Sequence, residues 1–184
     1  MFRRLRPLVL LAAPLLLAEC THTVSSKDAG VVSGGEASTA TPAVPSIEGT
    51  YRLAFRDLPN GTRQVPPAVD GLMTFAGGYR GVNMMEHNEK GDIVTISSVS
   101  TYTLNDSLYT EHMRYHMGTG YPPSDGGGFK ANLDGSSPVK VGADGSISFD
   151  MPLDGPHVIF TADSMTARLG TILTDHWVKV KSGT

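Results

Sequence analysis

The chain has 184 residues, a formal net charge of −3 and a single cysteine. One cysteine excludes an internal disulfide framework, and the absence of a basic patch with interleaved aromatics argues against nucleic-acid binding. The length allows one ordinary domain once any leader is set aside.

The leader comes first. Arg3, Arg4 and Arg6 precede an uncharged apolar run at 7–18, then Glu19 and Cys20. A basic start and an apolar core too short to span a bilayer predict an export signal at 1–19. The order Leu17-Ala18-Glu19-Cys20 is similar to a bacterial lipoprotein signal, which implies acylation of Cys20 and a membrane partner through that anchor. Glu19 departs from the small residue usual before the cut. Ordinary secretion therefore stays open, and the expected location is the bacterial cell envelope, lipid-anchored or periplasmic and secreted. Residues 20–46 are rich in Ser, Thr, Gly, Ala, Val and Pro, which predicts a flexible tether.

The folded domain is expected at 47–184. Tyr51, Leu53 and Phe55 alternate with Arg52, Ala54 and Arg56, predicting a strand with one greasy face and one wet face. Pro59-Asn60-Gly61 turns the chain. Strands are predicted at 71–75 and 79–87, split by Ala76-Gly77-Gly78. The segment 93–104 is rich in β-formers, and Asn105-Asp106 supplies a hairpin turn into a strand at 108–117. A Pro- and Gly-rich loop follows, with Gly126-Gly127-Gly128. Asp144-Gly145 links strands at 139–141 and 147–151, and further strands are predicted at 157–161, 165–169 and 172–181. No segment has a convincing helical period. This is an all-β domain, expected as an antiparallel up-and-down barrel of about eight to ten strands.

Three motifs bring a family into view. Gly49-Thr50-Tyr51-Arg52-Leu53 resembles the Gly-Thr-Trp opening of lipocalin-like domains. Asp70-Gly71-Leu72-Met73-Thr74-Phe75, followed by Tyr79-Arg80-Gly81-Val82-Asn83-Met84-Met85, resembles that family's paired strands. Ser100-Thr101-Tyr102-Thr103-Leu104-Asn105-Asp106 is similar to its Gly-Thr-Tyr hairpin, with Glu111-His112-Met113 falling where many members carry a His-His pair. Tyr51 replaces the usual tryptophan, and Glu111 the first histidine. The resemblance implies a barrel whose interior can hold a small apolar molecule.

Candidate chemistry is sparse. Met84, Met85 and His87, and His112, Met113, His116 and Met117, are soft-metal residue types. On a strand, however, His112, Arg114 and His116 share one face while Met113, Tyr115 and Met117 share the other, so the ligands point apart. No metal and no cofactor is expected. Glu111 shares the face of Met113 and Tyr115. If that face is internal, Glu111 is a desolvated carboxylate fit to act as a general base, with Tyr109 or Tyr115 to polarise a carbonyl. Glu111 and His112 are the only catalytic candidates.

The function expected is non-catalytic binding of a small hydrophobic ligand, lined by Tyr51, Leu53, Phe55, Phe75, Met85, Met113 and Tyr115. Two alternatives stay open: an isomerase- or cyclase-type enzyme in the same cavity, and a solid barrel that serves structure or protein interaction.

Overall fold

The computed structural model describes residues 46–88, 90–122 and 127–181. The export signal, Cys20 and nearly all of the tether lie outside them. Thirteen antiparallel strands form one sheet, with no helix among the described residues. The strands are β1 (Gly49–Asp57), β2 (Arg63–Gln64), β3 (Val69–Ala76), β4 (Tyr79–His87), β5 (Ile93–Leu104), β6 (Leu108–Thr119), β7 (Gly128–Lys130), β8 (Leu133–Pro138), β9 (Lys140–Val141), β10 (Ile147–Asp150), β11 (His157–Phe160), β12 (Ser164–Leu169) and β13 (Leu173–Lys179).

The sheet runs β7-β6-β5-β4-β3-β1-β13-β12-β11-β10-β9. Two meanders, β3 to β6 and β9 to β13, thus meet on either side of β1. The sheet curls into a half-barrel. One segment ties its two ends together: β8 pairs with β6, and β9, just beyond Val139, pairs with β10. Closing a sheet this way covers backbone groups that an open edge would leave unpaired. The antiparallel all-β architecture is the expected one. The strand number exceeds expectation because β2, β7 and β8 carry too little hydrophobic alternation to be read; Leu-Asp-Gly-Ser-Ser-Pro of β8 is an example.

Two strands depart from simple alternation, which corrects their expected faces. On β1, Leu53 pairs with Trp177 and Phe55 with His176, so Ala54 is an extra residue. This β-bulge reverses the pleat. Tyr51 and Leu53 point inward, Phe55 turns outward, and Arg56 turns inward at 6% exposure instead of facing water. Outside, Phe55 stacks on His176 at 4.3 Å and lies under the Arg63 guanidinium at 3.8 Å. On β6, Val99 pairs with Tyr115 and Ser100 with Met113, so Arg114 is the extra residue. Tyr109, Glu111 and Met113 face inward before the bulge and His116 after it, whereas Tyr115 and Met117 are exposed.

The core fills one end of the half-barrel with rings. Tyr109 stacks on Phe149 at 4.3 Å, Phe149 on Phe160 at 5.7 Å, and Phe75 meets Phe160 and Tyr102 edge-on at 5.4 Å. Tyr51 packs edge-on against Phe160 and donates its hydroxyl to the Ile47 carbonyl at 2.9 Å. Burial, then Tyr102, pushes its phenol up to about 12. Offset and edge-on ring pairs each add about 0.5–1.5 kcal/mol beyond area burial. Beyond these rings the interior holds a cavity.

Trp177 sits where the two regions meet, and Gly71 makes room for it. A β-carbon on Gly71 would stand 2.9 Å from Met84 Cγ and 3.0 Å from Trp177 Cη2. Gly71→Ala is expected to displace the indole and cost about 1–3 kcal/mol, the usual penalty of overpacking. The change in urea midpoint, followed by Trp177 fluorescence, measures it; an unchanged midpoint would show that the indole is free to move.

Candidate functional site

The interior cavity lies beyond the aromatic end and has a volume of about 300 Å³. Each wall follows from strand alternation. β4 contributes Arg80, Val82, Met84 and Glu86, and β13 contributes Leu173, Asp175 and Trp177. Met73, Ile96, Val158, Ala167 and Leu169 continue the apolar lining, with Met151, Leu153 and Pro156 from the connection between β10 and β11. Depressions on the outside are also present, one of about 460 Å³ over β5, β6 and β8. They are shallow grooves between side chains of neighbouring strands, whereas the interior cavity gathers buried charge.

The β1 bulge places Arg56 opposite Asp175, its register partner. The pair is bidentate: Arg56 Nε donates to Asp175 Oδ1 at 2.6 Å and Nη2 to Oδ2 at 2.9 Å. Arg56 Nη1 also donates to Glu86. Arg80 builds a second group, donating through Nη1 to Glu111 Oε1 at 2.7 Å and through Nη2 to Asp154. Tyr109 completes it, donating its hydroxyl to Glu111 Oε2 at 3.1 Å. Each guanidinium is thus gripped by two carboxylates. Burial pulls both arginines down, but Asp175 with Glu86, and Asp154 with Glu111, more than offset it and both end raised. Burial, then Glu111, also drives the Tyr109 phenol far above its ordinary value. Tyr121, held up by burial and then by the negative charge of Glu86, stays neutral at the cavity wall.

Not every donor is satisfied. Trp177 is 2% exposed and Arg80 3%, and both line the cavity. Among the described residues, neither Trp177 Nε1 nor Arg80 Nε has a hydrogen-bond partner. The hydroxyls of Ser98 and Ser100, on the inner face of β5, are in the same condition. Buried donors without partners carry a desolvation cost of about 1–3 kcal/mol each.

The residues expected to line a ligand site lie elsewhere. Tyr51, Leu53, Phe75 and Met113 are buried in the core. Phe55 is turned out by the bulge, Met85 lines an outer groove, and Tyr115 is 40% exposed. None of the seven lines the interior cavity. Of the two catalytic candidates, Glu111 is inside but serves as counter-ion to Arg80. His112 is on the outer face, with Nδ1 2.8 Å from Asp134 Oδ1. His112 and His116, expected on one face, are separated by the bulge at Arg114; His116 is 7% exposed and lines the cavity. Among the described residues no cluster of three or more His, Cys, Asp or Glu is arranged to hold a metal.

Arg56, Arg80, Glu86, Asp175 and Trp177 were not read as site residues from sequence. Partners 119 positions apart for Arg56 and Asp175, or 31 apart for Arg80 and Glu111, leave no local trace. The available signal was Arg80 itself, in phase with Val82 and Met84 on a strand correctly bounded at 79–87.

Removing Arg80 would strand Glu111 and Asp154. Arg80→Met is expected to lower stability by about 3–5 kcal/mol, the cost of breaking a buried ion pair from one side. Arg80→Met combined with Glu111→Gln is expected to cost less than the two single changes summed. Urea denaturation of the three variants checks this, and strict additivity would contradict the coupling.

Comparison of the chain with family models, with curated proteins and with solved structures finds no match.

Proposed function

We propose that the domain is an exported binding protein that holds a small hydrophobic molecule inside its half-barrel without transforming it. One observation carries the reading: an interior cavity of about 300 Å³ whose walls are largely apolar, with Trp177 and the ion-paired Arg56 and Arg80 among its lining residues. Apolar walls supply affinity, and a few placed polar groups fix orientation, the usual construction of a small-molecule pocket. A volume of about 300 Å³ equals that of about ten liquid waters, enough for a compact ligand.

Binding is favoured over catalysis by the state of the acids. Glu86, Glu111, Asp154 and Asp175 are all engaged by arginine, so none is offered to a substrate as a base. A barrel with a fully filled core is disfavoured by the cavity itself.

The full chain, exported by a bacterial host and purified gently, is expected to show a small-molecule adduct by native mass spectrometry that disappears on denaturation. A clean apo mass that persists after incubation with pooled envelope lipids and metabolites would contradict the reading.

The location in the envelope rests on Arg3, Arg4, Arg6 and the apolar run that ends at Cys20. Acylation of Cys20 would tether the domain to a membrane, with 20–46 as the spacer. Cells fed radiolabelled palmitate are expected to label the wild-type chain and not Cys20→Ser. Absence of label from the wild type would leave secretion without an anchor.

A further inference from the structure

We infer that the cavity takes organic cations, an apolar body ending in a protonated amine, in preference to the anion or the neutral molecule of the same length. The inference rests on the binding reading above and adds the charge of the ligand.

The charge a ligand meets depends on which members of the ion-paired groups it can touch. Arg56 is held by Asp175 and Glu86, and Arg80 by Glu111 and Asp154. Two acids against one guanidinium leave each group with one net negative charge when its acids are ionised. Exposure within the groups is uneven. The Arg56 and Arg80 side chains are 8% and 3% exposed, whereas those of Glu86 and Asp154 are 22% and 20% exposed. Both of these acids line the cavity. The guanidiniums are thus sealed behind their carboxylates, and the accessible charge is negative. Acceptor capacity also remains. A carboxylate has about four acceptor sites, and each arginine engages its partly exposed acid through one oxygen, Glu86 Oε2 or Asp154 Oδ2.

The walls suit the rest of such a molecule. Arg80, Val82, Met84 and Glu86 follow one another along the cavity side of β4, so apolar side chains separate the two acidic groups. An alkyl body lies along Val82 and Met84, with its ammonium at Glu86 or at Asp154. Because these acids are partly exposed, the ammonium keeps some of its water and avoids the full cost of burying a charge. A ligand carboxylate at the same place meets like charge near a low-dielectric interior, where repulsion is strong. A neutral head meets neither attraction nor repulsion of that kind.

Lys130, an exposed cation on the cavity lining, opposes the selection. An exposed charge is screened by solvent and salt, so it is expected to count for little against the acids. His116 also lines the cavity and is ionisable, which sets the pH of the test.

Matched ten-carbon probes test the selection. The full chain is titrated calorimetrically near pH 8, above the ordinary imidazole range and below that of an alkyl amine, with each probe below its micelle concentration. Decylamine is expected to bind at one site per chain, at least about tenfold more tightly than decanoate and about fivefold more tightly than 2-decanone. Glu86→Gln and Asp154→Asn each remove one accessible charge and keep the shape of the side chain. At least one of them is expected to weaken decylamine about fivefold, with 2-decanone affinity unchanged as the sign of an intact cavity. The probe series on the wild-type chain does not depend on the folding of either variant. Decanoate or 2-decanone binding as tightly as decylamine would overturn the selection while leaving the cavity as a binding site. Decylamine affinity unchanged in both variants would also overturn it and assign the amine to acids on the outer surface. Binding of no probe, together with a clean apo mass from the exported chain, would overturn both readings.

Discussion

Two β-bulges govern how this half-barrel is divided. A strand that alternates strictly must keep one face apolar along its whole length, or bury polar groups against a greasy core. Ala54 and Arg114 break that constraint by inserting one residue each midway along β1 and β6. Before the insertion the inward residues are Tyr51 and Leu53 on β1, and Tyr109, Glu111 and Met113 on β6, which pack or border the aromatic end. After it they are Arg56 and His116, which line the cavity. The same two strands therefore supply a sealed core at one end and a polar-edged pocket at the other.

The sealed end and the pocket depend on each other energetically. Burying an arginine is costly, and the carboxylates around it offset that cost only with good geometry. The bidentate contact of Arg56 with Asp175 is set by strand register, and the contact of Arg80 with Glu111 reaches across β5 between two strands of one meander. Ring stacking through Tyr109 continues directly into the second group, because the Tyr109 hydroxyl donates to Glu111. Rigid packing thus holds the acid that holds Arg80. Trp177 and Arg80, which line the cavity, lie on this same scaffold.

Much of the fold was legible because antiparallel strands write their pattern locally. The segments 79–87 and 93–104 were bounded to the residue, since β-branched and apolar positions alternate there between clear turns. The buried state of Tyr51 and Leu53 was likewise readable from period-two alternation, whereas the inward face of 108–117, and with it Met113, was left open. The site was not legible, for two physical reasons. A bulge is a single extra residue with no distinctive composition, so Phe55 and Tyr115 were placed inward and Arg56 outward. The ion-paired groups, moreover, join residues that only the closed topology brings together. Arg56 reads locally as an ordinary wet-face residue, and its burial becomes intelligible only once Asp175 stands opposite.

The account turns on one claim, that the cavity beside Trp177 is where a ligand sits. Trp177 is the chain's only tryptophan, so its indole N–H gives a single cross-peak in a ¹H–¹⁵N spectrum. Titration with 2-decanone, a neutral apolar probe, is predicted to shift that peak to saturation, because Trp177 lines the cavity, while the Tyr109 and Phe149 ring signals of the sealed end stay in place. An indole peak that stays fixed while residues of the outer strand faces shift would contradict the account and move binding to the outside of the sheet.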